Sequence, residues 1–296
     1  MTQTPSQTSA AGAAPAATQA ATQAATQAAI GAALNATARV APRVAGRLAL
    51  ELWRRPGKPV PVRADEREIH ERARRSSIGP VVTYAWGDGR RPVLLVHGWG
   101  ARASRFADVV AALVAAGMSP VSYDAWGHGA TPGPVGTILD HQILIEQLAR
   151  EHGPFEGAVA HSFGVPVALY AVREALGADR VVAISGMGDF GYVVDTFCAA
   201  LALREPVNRG LRRAIERTYF AGDTTIWERL SVRPASGREL LVVHDVGDRV
   251  VDRTQADLIL GAYGGAATLL ETTGLGHNRI LRDPRVVAAT ARFLDT

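Results

Sequence analysis

Ser162 lies between two small residues in the run Ala160-His161-Ser162-Phe163-Gly164, where an apolar strand-like stretch (157–160) gives way to a helix-like one (165–171). A strand-to-helix turn this tight forces its central residue into a strained backbone conformation, and only small side chains two positions before and after it avoid a clash. The hydroxyl then stands clear of the backbone, as an attacking oxygen must. Such turns usually begin with Gly, so Ala160 is a departure.

A serine of this kind needs a base, and His277 is the best placed. It sits in Gly274-Leu275-Gly276-His277-Asn278, after the last strand-like run and before the final helix, where the glycines let a loop carry an imidazole over the sheet edge. Seven other histidines compete. His161 adjoins the serine but points elsewhere from its strand, and His70, His141 and His152 fall in helical stretches. His97, His128 and His244 read as structural residues at turns or a strand end.

The acid that orients the base is expected after the strand-like run 239–244, where Asp245 and Asp248 both occur. Asp248 follows a glycine turn and precedes Val250-Val251, a pair able to anchor the next helix, so it is the first choice. Asp245, nearer the strand, reads as a brace for the turn; Asp189, after the preceding strand, is the other alternative. The acid would hold the histidine tautomer and stabilise the imidazolium. Residues 92–96 lead into His97-Gly98-Trp99-Gly100, a turn that can aim the Trp99 amide, with the Phe163 amide, at one oxygen. Two such donors form an oxyanion hole for acyl transfer.

These residues need a scaffold, and the chain alternates strand-like and helix-like segments from residue 81 onward. Strands separated by helices imply a parallel sheet covered on both faces. A charged helix is expected over 65–74. Gly87-Asp88-Gly89 ends the strand-like run 81–86 and leads back antiparallel. Between residues 184 and 239 no strand is evident, while helical patterns occur around 192–203 and 209–220. A connection so long should have structure and purpose, and we read residues 186–236 as a helical lid whose Phe190, Tyr192, Phe197, Leu201, Tyr219, Phe220 and Trp227 serve as pocket lining or as its own core.

With 296 residues and 47% of them hydrophobic, the chain can bury one substantial core. Residues 1–28, rich in Ala, Thr and Gln, read as a disordered tail, and residues 29–79 as a basic helical arm. Residues 1–63 carry seven basic residues against the single acid Glu51, a net charge of +6 in a chain of +4 overall, so the basicity belongs to the arm. Within it Ile30, Leu34, Ala38, Ala41, Ala45, Leu48 and Leu52 recur at helical spacing, with Arg39, Arg43 and Arg47 on another face. Pro42 predicts a kink or break near Ala41. Two readings of this amphipathic arm stand open: a helix packed on the domain with a solvated basic face, or weak contact with an anionic surface. No nucleic-acid-binding motif accompanies the charge.

Neither a secretory leader nor an apolar span near 18 residues occurs, so a cytoplasmic protein is expected. The lone Cys198 cannot form an internal disulfide and reads as a small apolar residue. Neither metal-ligand spacing nor a dinucleotide fingerprint is present, so no cofactor and no metal are expected.

The order Ser162, Asp248, His277, the turn at 97–98, the turn at 124–129 and the lid position together resemble the α/β-hydrolase superfamily over about residues 80–296. That resemblance implies an eight-stranded, mostly parallel sheet with helices on both faces and serine acyl-enzyme chemistry on a small-molecule acyl substrate, most simply a carboxylesterase. Haloalkane dehalogenases and epoxide hydrolases carry aspartate where this chain has Ser162. Esterase, thioesterase, lactonase, perhydrolase and carbon–carbon hydrolase activities all stay open. The alternative of another class is a hydrolase-fold sensor that holds a small ligand with little turnover.

Overall fold

Short runs of β-branched and other apolar residues become strands because each can be buried on both faces of one sheet. The computed structural model describes residues 13–174 and 176–296. Its strands are β1 (Arg74–Ile78), β2 (Val81–Ala85), β3 (Pro92–Val96), β4 (Ser119–Tyr123), β5 (Gly157–His161), β6 (Arg180–Ile184), β7 (Glu239–Asp245) and β8 (Ala267–Thr272). They form an eight-stranded sheet in the order β1-β2-β4-β3-β5-β6-β7-β8. Neighbours from β4 to β8 are parallel, and β1 and β2 add an antiparallel edge. The turn at 87–89 does reverse the chain, but β4 lies between β2 and β3. Because the chain moves from β3 to β4 on one side and on to β5 on the other, the strand order switches at β3. Ligand sites of such sheets lie at the carboxyl ends beside that switch.

The helices are α1 (Ala13–Val40), α2 (Pro42–Trp53), α3 (Arg67–Glu71), α4 (Ala107–Ala115), α5 (Ile138–His152), α6 (Gly164–Glu174), α7 (Tyr192–Ala200), α8 (Glu205–Tyr219), α9 (Ile226–Arg229), α10 (Arg253–Tyr263), α11 (Gly276–Arg279) and α12 (Pro284–Asp295). Strand alternation divides the core in two. Val93, Leu95, Val159, Val182 and Val243 face one side with Val110 and Leu113 of α4 and Leu294 of α12. Leu94, Val96, Ala158, Ala160 and Val242 face the other with Leu148 of α5, Ala168 of α6 and Ile259 of α10. Residues 186–236 are helical as expected: α7, α8 and α9 fill the connection from β6 to β7.

The amino-terminal segment differs from its reading in two ways and agrees with it in a third. Of the tail read as disordered (1–28), residues 1–12 lie outside the described residues, and from Ala13 the chain is helical. The charged stretch at 65–74 contains only a short turn and α3, after which β1 already belongs to the sheet, ahead of the expected boundary at residue 80. The break falls where Pro42 placed it: Ala41 has φ −141° and α2 restarts at Pro42.

That restart resets the helical phase. Leu34, Ala38 and Ala45 are buried as their spacing suggested, but α2 packs through Ala45, Gly46, Ala49 and Leu50, and Leu48 and Leu52 face outward. The face is chosen by a close crossing with α8. A Cβ on Gly46 would overlap the backbone of Gly210, so the two helices meet backbone to backbone, and α2 joins Val207, Leu211 and Ile215 in one cluster. The arm is thus built onto the α7–α9 insertion. No described helix is long and apolar enough to cross a membrane.

Candidate active site

Ser162 sits between the end of β5 and the start of α6 with φ 56°, in the left-handed region that a serine rarely adopts. Its neighbours hold it there. The Ser162 amide donates to the Ile184 carbonyl of β6 at 3.0 Å, and its own carbonyl accepts from the Val165 amide at 3.0 Å. A side chain at position 164 would overlap the Val96 carbonyl of β3, and a Cβ at Gly98 would stand 2.8 Å from Ser162 Cβ. The small residues at 98 and 164 therefore leave room for the serine under β3, which is the physical content of the motif.

Three elements far apart in sequence converge on the hydroxyl. His277, in α11 just beyond β8, places Nε2 3.1 Å from Ser162 Oγ. Its Nδ1 is 2.8 Å from Oδ2 of Asp248, which follows β7. The other Asp248 oxygen accepts the Val250 amide at 2.8 Å and the Val251 amide at 3.0 Å. Burial opposes ionisation of Asp248, but the hydrogen bond from His277 and these amides hold its pKa down to about 2. An ionised Asp248 fixes the Nδ1–H tautomer and leaves the Nε2 lone pair facing the serine. Of Val250 and Val251, only Val251 is buried; both amides bind the carboxylate, while Val250 is 48% exposed.

The other two acids take different places. Asp245 is fully buried and accepts from the Gly247 amide at 2.9 Å, Thr272 Oγ1 at 2.9 Å and the Leu275 amide at 3.0 Å. It ties the Asp248 turn to the His277 loop, which extends the bracing role read from sequence. Asp189 turns toward the root of the insertion, accepting from the Gly191 amide at 2.8 Å, and makes no contact with His277 among the described residues.

His161 does more than its sequence position suggested. Its Nε2–H donates to the His277 carbonyl at 2.8 Å, and the two rings lie 4.7 Å apart. Burial pushes its pKa down to about 3, so it is a neutral donor that pins the backbone of the base. No sequence signal marks this role, because the acceptor is a backbone atom 116 residues away.

The turn after β3 is held by His97, whose Nδ1–H donates to the Gly98 carbonyl at 2.8 Å while Nε2 accepts the Ala125 amide at 3.0 Å. Burial lowers its pKa and keeps it neutral. Asp124 is fully buried and takes the Ala103 amide at 2.8 Å and the Ala130 amide at 2.7 Å. His128 is likewise structural, its Nδ1 2.8 Å from the Trp126 carbonyl. The Trp99 and Phe163 amides donate to no protein acceptor among the described residues. Their side chains meet edge to face at 5.8 Å.

A cleft of about 470 Å³ opens over Ser162 and His277. Its walls come from Trp99, from Val193, Thr196 and Phe197 of α7, from Met187 and Leu281, and from Trp53, Val60 and Arg63 of the amino-terminal arm. The arm's part in the site was not legible from sequence. Trp53 also stacks on Trp99, centroids 5.0 Å apart. Behind Phe163, Trp53 and Val193 border a narrow apolar crevice of about 20 Å³ lined by Phe190, Tyr219, Phe220 and Trp227. Four aromatics of the insertion thus line a cavity, and Phe197 lines the cleft. Tyr192 instead accepts the Asp252 amide at 3.0 Å, and Leu201 meets α1 at Gly31.

Charge at the cleft is modestly positive. Buried Glu66 accepts from Ser104 Oγ at 2.7 Å and from the Arg63 amide at 3.1 Å and pairs with Arg105, while the Arg63 guanidinium lies 3.7 Å away. One carboxylate between two guanidiniums, both lining the cleft, leaves one unbalanced positive charge. Cys198 is buried in α7, and burial raises its thiol to about 11. Among the described residues no cluster of three His, Cys, Asp or Glu side chains is arranged to hold a metal.

With this sheet order, the chain has the α/β-hydrolase fold. Residues 87–190 match the family described as serine aminopeptidase, S33. Solved structures of the same fold include a monoacylglycerol lipase of Paleococcus ferrophilus, 19% identical with TM-score 0.55, covering 73% of this chain and 98% of that one. An esterase of Pyrococcus furiosus is 16% identical with TM-score 0.57, covering 81% and 96%. A bromoperoxidase from Bacillus anthracis is 15% identical with TM-score 0.56, covering 76% and 100%. At these identities the likeness is one of fold, which serves several chemistries. A comparison with curated proteins finds no match.

Proposed function

We propose that this protein is a serine hydrolase acting on carboxylic esters. The reading rests on one observation above all: Ser162 Oγ is 3.1 Å from His277 Nε2, and Nδ1 of the same ring is 2.8 Å from Asp248. In this reading Ser162 attacks the acyl carbon as its proton passes to His277 Nε2. The negative oxygen that forms is met by the Trp99 and Phe163 amides, each such donor contributing on the order of 3 kcal/mol. His277 then protonates the departing alcohol, leaving the acyl group on Ser162. Water entering the cleft gives its proton to Nε2 and attacks the ester, which releases acid and restores Ser162. Asp248 stays ionised throughout.

An ester is favoured over an amide because proteins of the same fold include a monoacylglycerol lipase and an esterase. The match to a serine aminopeptidase family keeps amide cleavage as the competing outcome. Purified protein assayed with p-nitrophenyl acyl esters and with aminoacyl p-nitroanilides decides between them. Fluorophosphonate should label Ser162 and fail on Ser162→Ala. Labelling at another serine, with Ser162→Ala fully active, would sink the assignment. Ligand binding without repeated product release would point instead to a sensor.

A further inference from the structure

Helix α2 presents two apolar faces, and only one is used. Ala45, Gly46, Ala49 and Leu50 pack inward. Val44, Leu48 and Leu52 lie outside that packed face, and Val40 ends α1 just before the break at Ala41. Four-residue spacing sets the three α2 residues in one stripe; they are 48%, 48% and 37% exposed, and Val40 is 86% exposed. A lone exposed aliphatic needs no explanation, but four so close in sequence do.

The charges beside the stripe identify what fits it. Arg39, Arg43, Arg47 and Arg55 are exposed and have no acidic partner among the described residues. The only acid on the helix, Glu51, is held by Arg54 at 3.1 Å. A second copy of the same face would bring arginines against arginines in the symmetric contact expected of a dimer. A surface that is apolar within and anionic at its boundary satisfies both features at once. That is the character of an anionic lipid leaflet.

We propose that α2 lies along an anionic lipid surface, with Val40, Val44, Leu48 and Leu52 in the headgroup boundary and Arg39, Arg43 and Arg47 on lipid phosphates. The helix cannot cross: no described helix is long and apolar enough. Its last residue, Trp53, is a wall of the Ser162 cleft.

Flotation of the full chain with vesicles tests this without any activity readout. Binding is expected to vesicles of phosphatidylglycerol mixed with phosphatidylcholine at low salt, and to weaken at least about tenfold in high salt or on phosphatidylcholine alone. Val44→Ser with Leu48→Ser should abolish binding, and Arg43→Gln with Arg47→Gln should weaken it about tenfold or more. Both pairs should melt like wild type and keep its rate on a short soluble ester, because these side chains face outward. Equal binding to neutral and anionic vesicles, no binding at all, or binding untouched by the serine pair would overturn the proposal. So would a concentration-dependent dimer that Val44→Ser with Leu48→Ser dissolves, which would show the stripe covered by a second copy.

Discussion

Trp53 and Trp99 stack with ring centroids 5.0 Å apart and planes 34° from parallel. Trp53 ends α2 of the amino-terminal arm, and Trp99 belongs to the turn whose amide we assign to the oxyanion hole. The arm is therefore joined to the turn that the proposed chemistry depends on. A change at Trp53 should be felt in transition-state stabilisation.

Replacing Trp53 with Ala removes one wall of the cleft and the ring on which Trp99 rests. The expected result is a fall in kcat/KM of about tenfold for a short ester, the scale of a misplaced positioning group, with relative preference moving toward bulkier acyl groups. Trp53→Phe should recover much of the rate. An unchanged chain-length profile in Trp53→Ala, measured with a p-nitrophenyl ester series, would show that the arm only borders the cleft.

Asp245 at the end of β7 and Asp248 just after it should separate kinetically from one another. Asp248→Asn removes the charge that fixes the His277 tautomer, and kcat should drop by about 10³-fold or more with little effect on melting. Asp245→Asn leaves the relay but disturbs a buried carboxylate bound to Gly247, Thr272 and Leu275. It should lower stability by about 1–3 kcal/mol and kcat far less. Asp189→Asn should do little to either. If Asp189→Asn were the crippled variant, the geometry at His277 would have been misread.

Stability should decline on mild acidification because buried histidines stay neutral in the fold. Burial pushes His128 down to about 4 and His141 and His161 down to about 3, whereas in the unfolded chain each returns to its ordinary value of 6.5. Above that value neither state binds these protons and they contribute nothing to pH dependence. Below it the unfolded chain takes up protons that the native state refuses, so stability falls with pH by about 1.4 kcal/mol per unit for each histidine. Asp248 adds its own loss only lower, as pH drops from 3.8 toward about 2. Urea unfolding at about pH 7, 6 and 5 measures the slope; a flat profile between 7 and 5 would contradict the buried, neutral assignment.

Truncation should distinguish the two parts of the amino-terminal segment. Most described residues of 21–29 are exposed, while Gly31, Leu34 and Ala38 are buried. Deleting residues 2–28 should therefore leave melting temperature and esterase rate nearly unchanged. Deleting 2–60 removes α2, uncovers Val207, Leu211 and Ile215, and takes Trp53 from the cleft, so both should fall. Gly46→Val offers a gentler version: forcing α2 away from α8 should cost about 1–3 kcal/mol. Equal stability of the chain lacking 2–60 would mean that α2 is not part of the fold's packing.

What the sequence by itself determined is what depends on neighbours in the chain. Short continuous apolar runs specify the buried strands, Pro42 stops one helix and starts another, and small residues at 160 and 164 allow the strained turn that lifts Ser162. The glycine turn that carries Asp248 beyond the strand was readable too, whereas the reach of Asp245 to the Leu275 amide was not. The tertiary structure decided whatever required distant segments to meet. Pairing His161 with the His277 carbonyl depends on β5 lying near the loop after β8, and nothing local encodes a backbone acceptor so far along the chain. The phase of α2 was decided the same way. Leu48 and Leu52 match the helical period as well as Ala49 and Leu50 do, but only a face bearing Gly46 can approach Gly210 closely enough to pack, so backbone contact selected the small-residue face and left the larger side chains in solvent.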